Sequence, residues 1–522
     1  MLKNNFRLGI LFGIIAGLMT FIFGGWSVGI IGVLYGVGLG LALSGRLKRE
    51  APLNMARQAL PLAATASAVL LVMSLLQNYV IAPAIGQSSA GSDIVIPANL
   101  AGILGGLLFT LITAALHGLP DRQEQIGKLI LLAAIIVAFP FVDTFTGLFW
   151  LAQVIFALIF VILGMGLNIV VGYAGLLDLG YAAFFAIGAY TTGILSSPLH
   201  HIFLNFWLVI WIAAGMAAIF GLILGTPTLP LRGDYLAIVT LGFGEIIPVV
   251  FRNLIDVTIE EPFSCWIIPG IQRLFGGTST LSCIYIAQHL NLTAGEQGIN
   301  PIGRPSLPVL GLFTNAHPIP WYFLIIAIIL MSIFLINRLR ESRLGRAWMA
   351  IREDELAASQ MGIDPVRTKL LAFAMGATFS GFAGAFYAAY ISGIFPDVFD
   401  FSASILILCT VILGGIGNIY GVIVGGLVLI NADRLFLPAL KDFLTGLLKS
   451  TILPALAHNP TLQAAVAENA NPILYRYLLF GLTLIIMMAV RPEGLIPNAQ
   501  RRMELHEADE APNVTATAST RN

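Results

Sequence analysis

The feature that most limits how this chain can fold is its succession of long apolar runs, at about 8–24, 26–43, 60–78, 97–116, 128–142, 150–171, 178–196, 206–229, 235–251, 320–337, 370–391, 401–417, 419–432 and 473–490. A helix rises 1.5 Å per residue, so about twenty residues cross the hydrocarbon of a bilayer; several runs fit ordinary spans and the shorter ones fit tilted or re-entrant pieces. The runs are continuous, where the strands of a membrane barrel would alternate over about ten residues. The expected fold is all-α, a polytopic transmembrane helical bundle of about 10–14 spans, because helices satisfy their own backbone in lipid. Composition agrees: 58% of residues are hydrophobic and 10% charged, with a mean hydropathy of +0.90, against roughly 25% charged residues in a soluble protein. Lys3 and Arg7 precede the first run as they would a signal peptide. Its apolar part is long and no small-x-small site follows, so it reads as a retained span.

One polar segment interrupts this pattern. Residues 338–369 gather seven basic and five acidic side chains between two apolar runs. A charge at the bilayer centre costs on the order of 3 kcal/mol or more, so this segment belongs in water. Leu344, Ala347, Trp348, Ile351, Leu356 and Met361 recur at roughly helical spacing, which predicts an amphipathic helix ended by Gly362 and Pro365. Lys and Arg also mark orientation. Segments 1–7, 44–57, 117–128, the turn at Arg232 and the 338–369 loop carry them, while 79–96, 143–149, 197–205 and 392–400 carry none. With every run spanning, both termini and the 338–369 loop are expected in the cytoplasm, and the long loops 252–319 and 433–472 outside. Cys265 and Cys283 share the first of these outer loops, where a disulfide would persist, and either a bridge or two free thiols fits. Cys409 reads as core. In the second, the apolar face of 435–453 predicts a helix lying along the interface.

Small residues fall in rows four apart: Gly32, Gly36, Gly40 and Ser44; Gly417, Gly421 and Gly425; Ala377, Gly381 and Ala385. Such rows let helix backbones approach closely. They fit packing within the chain, and they also fit an interface with a second membrane subunit. Two stretches add ionisable groups near membrane depth. In 166–190, Asn168, Gly172, Gly175 and Asp178 cross a junction between runs; glycine-broken helix with a polar side chain is expected where backbone lines a cavity or is covered by protein. In 231–253, Glu245 stands mid-run between Gly244 and Pro248, and an intramembrane acid is a functional-site hypothesis by default. The plainer readings are a helix cap or interfacial residue for Asp178 and a buried structural hydrogen bond for Glu245. A further glycine-rich break, 411–426, contains Gly414, Gly415 and Gly417.

The pattern Glu355, Ala357, Ala358, Gly362 in ELAASQMG is similar to the loop by which permease subunits of ABC importers grip their ATPase. Taken with GYAGLLDLGYAAFFAIGAY, LRGDYLAIVTLGFGEI, GINPIGRP, SRLGRAWMAIREDELAASQMGID, LGGIGNIYGVIVGG and RPEGLIP, the chain resembles the branched-chain amino acid ABC transporter permeases, in particular the longer member of the permease pair, from about 128 to 497. The resemblance implies a bacterial inner-membrane subunit that pairs with a homologous second permease, two cytoplasmic ATPases and an extracytoplasmic solute-binding protein. It assigns ATPase coupling to Glu355, Ala357, Ala358, Gly362 and Asp364. It implies a domain layout of an N-terminal transmembrane extension (1–127), the permease domain (128–497) and a polar cytoplasmic tail (498–522). The outer segment 253–295 is longer than the resemblance leads one to expect.

Other classes fit less well. Net charge is zero, which gives no reason to expect a nucleic-acid partner. There is no G-x-x-x-x-G-K-[ST]; the Gly127-Lys128 pair is followed by Leu and lacks the preceding glycine, so no cofactor is expected on this chain, and ATP and Mg belong to the partner ATPases. No His pair, Ser/His/Asp grouping or Cys/His cluster sits at membrane depth, so neither an enzyme nor a metal site is expected; His200 and His201 are adjacent and do not share a helix face. The expected function is a permease subunit of an ATP-driven importer for branched-chain or other neutral amino acids. The alternatives are a urea or amide permease, and a secondary transporter with Asp178 or Glu245 as ion site.

Overall fold

In a computed structural model of the chain, residues 2–23, 28–44, 51–81, 92–146, 149–200, 204–228, 234–255, 291–307, 311–314, 316–448, 472–490 and 493–496 are described. Among them, ten helices are long and apolar enough to cross a membrane, and four shorter apolar helices accompany them. Among the described residues, strand is confined to an antiparallel pair, β1 (Ser306–Leu307) against β2 (Gly311–Leu312). The protein is an all-α, multi-pass membrane bundle. Cys265 and Cys283 lie outside the described residues, as do the tail 498–522 and most of the loop 252–319.

The chain forms two compact units, Met1–Val154 with Asn431–Gly481, and Ile155–Ile430 with Leu482–Asn522. The first holds α1 (Leu2–Phe23), α2 (Val28–Ser44), α3 (Pro52–Leu76), α4 (Ser92–His117) and α5 (Asp121–Thr146). Within it α2 and α4 meet backbone to backbone, for a Cβ on Gly32 or Gly36 would run into the backbone of Gly102 or Gly106. Tyr35 Oη and Ser67 Oγ, 2.7 Å apart and buried, join α2 to α3. The Asp143 carboxylate accepts from Trp150 N at 3.0 Å and Leu151 N at 3.1 Å, satisfying free amides at the start of the next helix.

That helix, α6 (Leu151–Leu167), continues as a π-turn, Asn168–Tyr173. There follow α7 (Ala182–Ser196), α8 (Phe206–Thr228), α9 (Asp234–Asn253) and α10 (Ile319–Glu341). The polar segment gives α11 (Arg343–Glu353) and α12 (Glu355–Gln360), and then come α13 (Pro365–Ile391), α14 (Phe401–Gly414), α15 (Ile419–Asn431), α16 (Leu437–Leu447) and α17 (Arg476–Val490). α13 is buried along most of its length, as a helix apolar all round should be. It packs on α7 and α8 through small residues. A Cβ on Gly381 would lie 2.7 Å from Ala214 Cα, and one on Gly188 would lie 2.6 Å from Gly381 Cα. The row at Gly421 and Gly425 closes against Gly414 in the same way. All three small-residue rows are thus used up inside the chain, which removes them as candidates for a contact with a second subunit.

Two sequence expectations are corrected. The amphipathic helix predicted from Leu344 to Met361 is two helices, because Asp354 leaves the helical region (φ −154°, ψ 110°) and its side chain accepts from Leu356 N and Ala357 N. A capping carboxylate that satisfies two amides of a new first turn outcompetes one continued turn. The helix expected to begin the outer loop at 435 is instead continuous with α15: the chain runs through a π-turn, Ala432–Phe436, into α16, and 419–447 forms one apolar stretch of 29 residues.

Replacing Gly381 by Val should destabilise the protein by about 1–3 kcal/mol through overpacking. Gly215→Ala, at a position with nothing within 4 Å of the added Cβ, should be near neutral. Thermal unfolding in detergent reads both.

Candidate functional site

Two helix breaks meet in the second unit, and each needs partners for backbone groups that no water in a bilayer would satisfy. At the first, Asn168 is fully buried and its Oδ1 accepts from Gly417 N at 2.8 Å. The side chain thereby ties the π-turn after α6 to the turn between α14 and α15. Gly172 sits inside this contact; a Cβ there would lie 2.8 Å from Gly417 N. The 415–418 turn needs left-handed backbone at Gly415 (φ +118°) and Gly417 (φ +84°). Its flanks are held by the closing GLI segment. Leu495 N donates to Leu413 O at 2.9 Å, Ile496 N to Gly414 O at 3.1 Å, and Asn418 Nδ2 to Ile496 O at 3.1 Å.

The second break, 174–181, enters α7. Leu179 N donates to Thr240 Oγ1 on α9 at 3.1 Å, and Ala182 N to Ser404 Oγ on α14 at 3.0 Å. Asp178 is buried. Its Oδ1 accepts from Gly180 N at 2.9 Å, two residues on, so it shapes the turn and does not cap α7. Its Oδ2 has no hydrogen-bond partner among the described residues. The carboxylate lines a narrow crevice with Gly180, Phe184, Leu224, Thr240, Phe243 and Phe373, with space for about one water.

The polar segment reaches the first break directly. Arg352, on the last turn of α11, donates from Nη1 to Gly172 O at 2.7 Å. Gly175 (φ +72°) lies under the same side chain, where a Cβ would sit 2.9 Å from Arg352 Cγ. A guanidinium with an always-charged donor fork suits a carbonyl that the broken helix leaves exposed. The segment is itself anchored to α13. Trp348 is fully buried with its Nε1 donating to Thr368 O at 2.8 Å, and Lys369 Nζ lies 2.7 Å from Glu355 Oε1. Asp364 caps α13, accepting from Val366 N at 3.0 Å and Arg367 N at 3.3 Å. Gly362 (φ +85°) ends α12 in left-handed backbone, with Ile363 N returning to Ala358 O at 3.2 Å.

These contacts sort the residues singled out in the sequence. Asn168, Gly172, Gly175, Gly414, Gly415 and Gly417 come together around the first break, and Asp178 stands at the second. In the polar segment Glu355 and Ala358 turn inward, whereas Ala357, Gly362 and Asp364 are exposed. Exposed Leu356, Met361 and Val366 share that outer surface. Glu245 is not buried: it lies on the exposed side of α9, away from Asp178, and makes no hydrogen bond or ion pair among the described residues. Arg352, Lys369, Thr240 and Ser404 were not singled out, and Trp348 entered only through its helical spacing. Trp348 and Arg352 are four apart and share a face, a legible signal; that Arg352 finds Gly172 is not. Cys409 is buried, as expected of a core thiol.

A family model described as branched-chain amino acid transport system / permease component matches residues 149–488. The chain belongs to this permease family. It is 36% identical over 401 residues to the "High-affinity branched-chain amino acid transport system permease protein LivM" of Escherichia coli (strain K12), covering 76% of this chain and 80% of that protein. The "Probable branched-chain amino acid transport permease protein LivM" of Methanocaldococcus jannaschii is 24% identical over 346 residues, 65% of this chain and 90% of that relative. A different permease named for the same system, LivH of Escherichia coli (strain K12), is 31% identical over 163 residues, 29% of this chain and 50% of LivH. No solved structure matches the chain. The permease is a transport subunit, and the family match covers both helix breaks and the whole polar segment.

Asn168→Ala should leave the buried Gly417 N–H unpaired and cost about 1–3 kcal/mol, read as a lower Tm of the purified permease.

Proposed function

We propose that this permease is the longer membrane subunit of an ATP-driven ABC importer for branched-chain or other neutral amino acids, forming the translocation path with a second homologous permease. Two ATPases, holding ATP and Mg, dock on the 338–369 segment in the cytoplasm, and an extracytoplasmic binding protein delivers the solute. The chain sits in the plasma membrane with both termini inside. The observation that carries the reading is the bond from Arg352 to Gly172 O. It joins a water-exposed segment with an outward apolar surface to a helix break inside the membrane domain, so a push on α11 and α12 is delivered to the turn that Asn168 ties to Gly417.

The mechanical logic follows from stiffness. Trp348 and the Lys369–Glu355 pair fix α11 and α12 to the start of α13, so the segment moves as a body with that helix. Arg352 adds a second attachment on the break after α6. A rotation imposed at Leu356, Ala357 and Met361 therefore displaces α13 and the break together, opening or closing a path between subunits. Because α13 is packed backbone-close on α7 and α8, it transmits displacement with little give. Asp364, which caps α13, and Gly362, which turns the chain into it, keep the joint short.

Ala357 is exposed, so Ala357→Arg should leave the permease folded with an unchanged Tm, abolish co-purification with the ATPases and lower amino acid uptake at least tenfold. Ala358→Arg should instead lower the Tm, since Ala358 is buried. Uptake of leucine by proteoliposomes of the complete complex should require ATP and persist when proton and sodium gradients are collapsed. Uptake by the lone chain driven by an ion gradient would favour a secondary transporter.

A further inference from the structure

Apart from its ends, the exposed surface of the second unit's spans is almost wholly apolar, as a lipid-facing surface should be. α8 presents Trp207, Leu208, Trp211, Ile219 and Ile223, and α10 presents Leu330 and Phe334. α9 is different. Tyr235, Ile238, Gly242, Glu245 and Val249 recur at helical spacing along one side. Tyr235, Ile238, Glu245 and Val249 are exposed, and nothing lies within 4 Å of where a Cβ on Gly242 would be. Near the middle of this 20-residue helix, an ionisable carboxylate thus stands in the open with no partner among the described residues. The other side of the helix is used up: Thr240 binds the second break, and Gly244 lies against Gly180.

A carboxylate facing lipid at that depth is strongly disfavoured, and it is too short to snorkel from mid-span to either surface. A carboxylate facing a dry protein contact would need a cation brought by the partner. A water-lined path that carries a cationic group supplies the same charge without a permanent partner. We infer that this side of α9 is one wall of the solute path, closed on its other side by the second permease, and that Glu245 holds the ammonium group of the passing amino acid. The inference rests on the transport reading above and adds the residue that recognises one end of the solute. The apolar neighbours Ile238 and Val249 suit its side chain, and the open position at Gly242 keeps the wall clear beside the carboxylate. An anionic solute or a fatty acid would be repelled here, and a neutral amide would gain nothing from the charge.

The test uses the complete complex in proteoliposomes, with single cysteines placed in a background where Cys265, Cys283 and Cys409 are Ser. Gly242→Cys and Glu245→Cys should react with a charged, membrane-impermeant methanethiosulfonate, and saturating leucine should slow the reaction of Gly242→Cys, which keeps Glu245. Cysteines at Ile223 and Phe334, on apolar sides, should stay unreactive. Glu245→Gln should cut leucine uptake at least tenfold while the complex still assembles and hydrolyses ATP, and Glu245→Asp should recover most of it. If Gly242→Cys is as unreactive as the controls in a complex that pumps leucine, or if Glu245→Gln pumps normally, the inference is overturned and the transport reading stands. If the unmodified complex moves no amino acid with ATP, the transport reading itself fails.

Discussion

A broken helix inside a membrane domain exposes amides and carbonyls that neither lipid nor a neighbouring turn can satisfy, and the second unit of this permease is arranged around meeting that demand twice. At 168–175 and 415–418 the partners are Asn168, Gly417 N, Arg352 and the closing 495–496 strand of backbone. At 174–181 they are Thr240 and Ser404. Each is a side chain or backbone group from a distant part of the sequence, so the breaks hold together elements that helix packing alone would leave free to slide. Unbroken helices would fold more simply. At these breaks Asn168 Nδ2, Tyr173 Oη and Asp178 Oδ2 have no partner among the described residues, and Asp178 Oδ2 faces a crevice with room for a water.

The same economy explains why the polar segment is rigid. Short helices of 11 and 6 residues are marginal on their own. Capping by Ser342, Asp354 and Asp364, the buried Trp348 and the Lys369–Glu355 pair fix them to α13. A segment so fixed can pass a displacement inward, and Arg352 gives it something to pull on. The outward residues, Leu356, Ala357, Met361 and Val366, are left unburied by the chain itself, which suits a surface meant to be covered by another protein.

Much of this was legible before any coordinates. The apolar runs at about 128–142 and 206–229 correspond to α5 and α8, and the glycine-rich stretches 166–190 and 411–426 are where the helices break. The motifs pointed to the permease family that the comparison with relatives establishes. The reading went astray where local rules compete. Helical spacing from Leu344 to Met361 gave one helix because periodicity says nothing about a capping aspartate in mid-pattern. The stretch after 432 is expected to be an outer loop because the apolar run ends there, yet a π-turn carries the helix on and buries Asp433.

What the sequence by itself determined is that this chain spans a membrane many times as helices, breaks them at glycines and displays one charged segment between two spans. Those properties follow from the free energy of single residues and their periodicity, which need no knowledge of neighbours. Only the tertiary structure decided which side of each helix is spent on packing. It turned the small-residue rows inward, set Glu355 and Ala358 against the body with Ala357 outside, joined Arg352 to Gly172 and left Glu245 in the open. Those choices depend on how helices far apart in sequence dock, and a period of 3.6 residues marks a face without saying what will cover it.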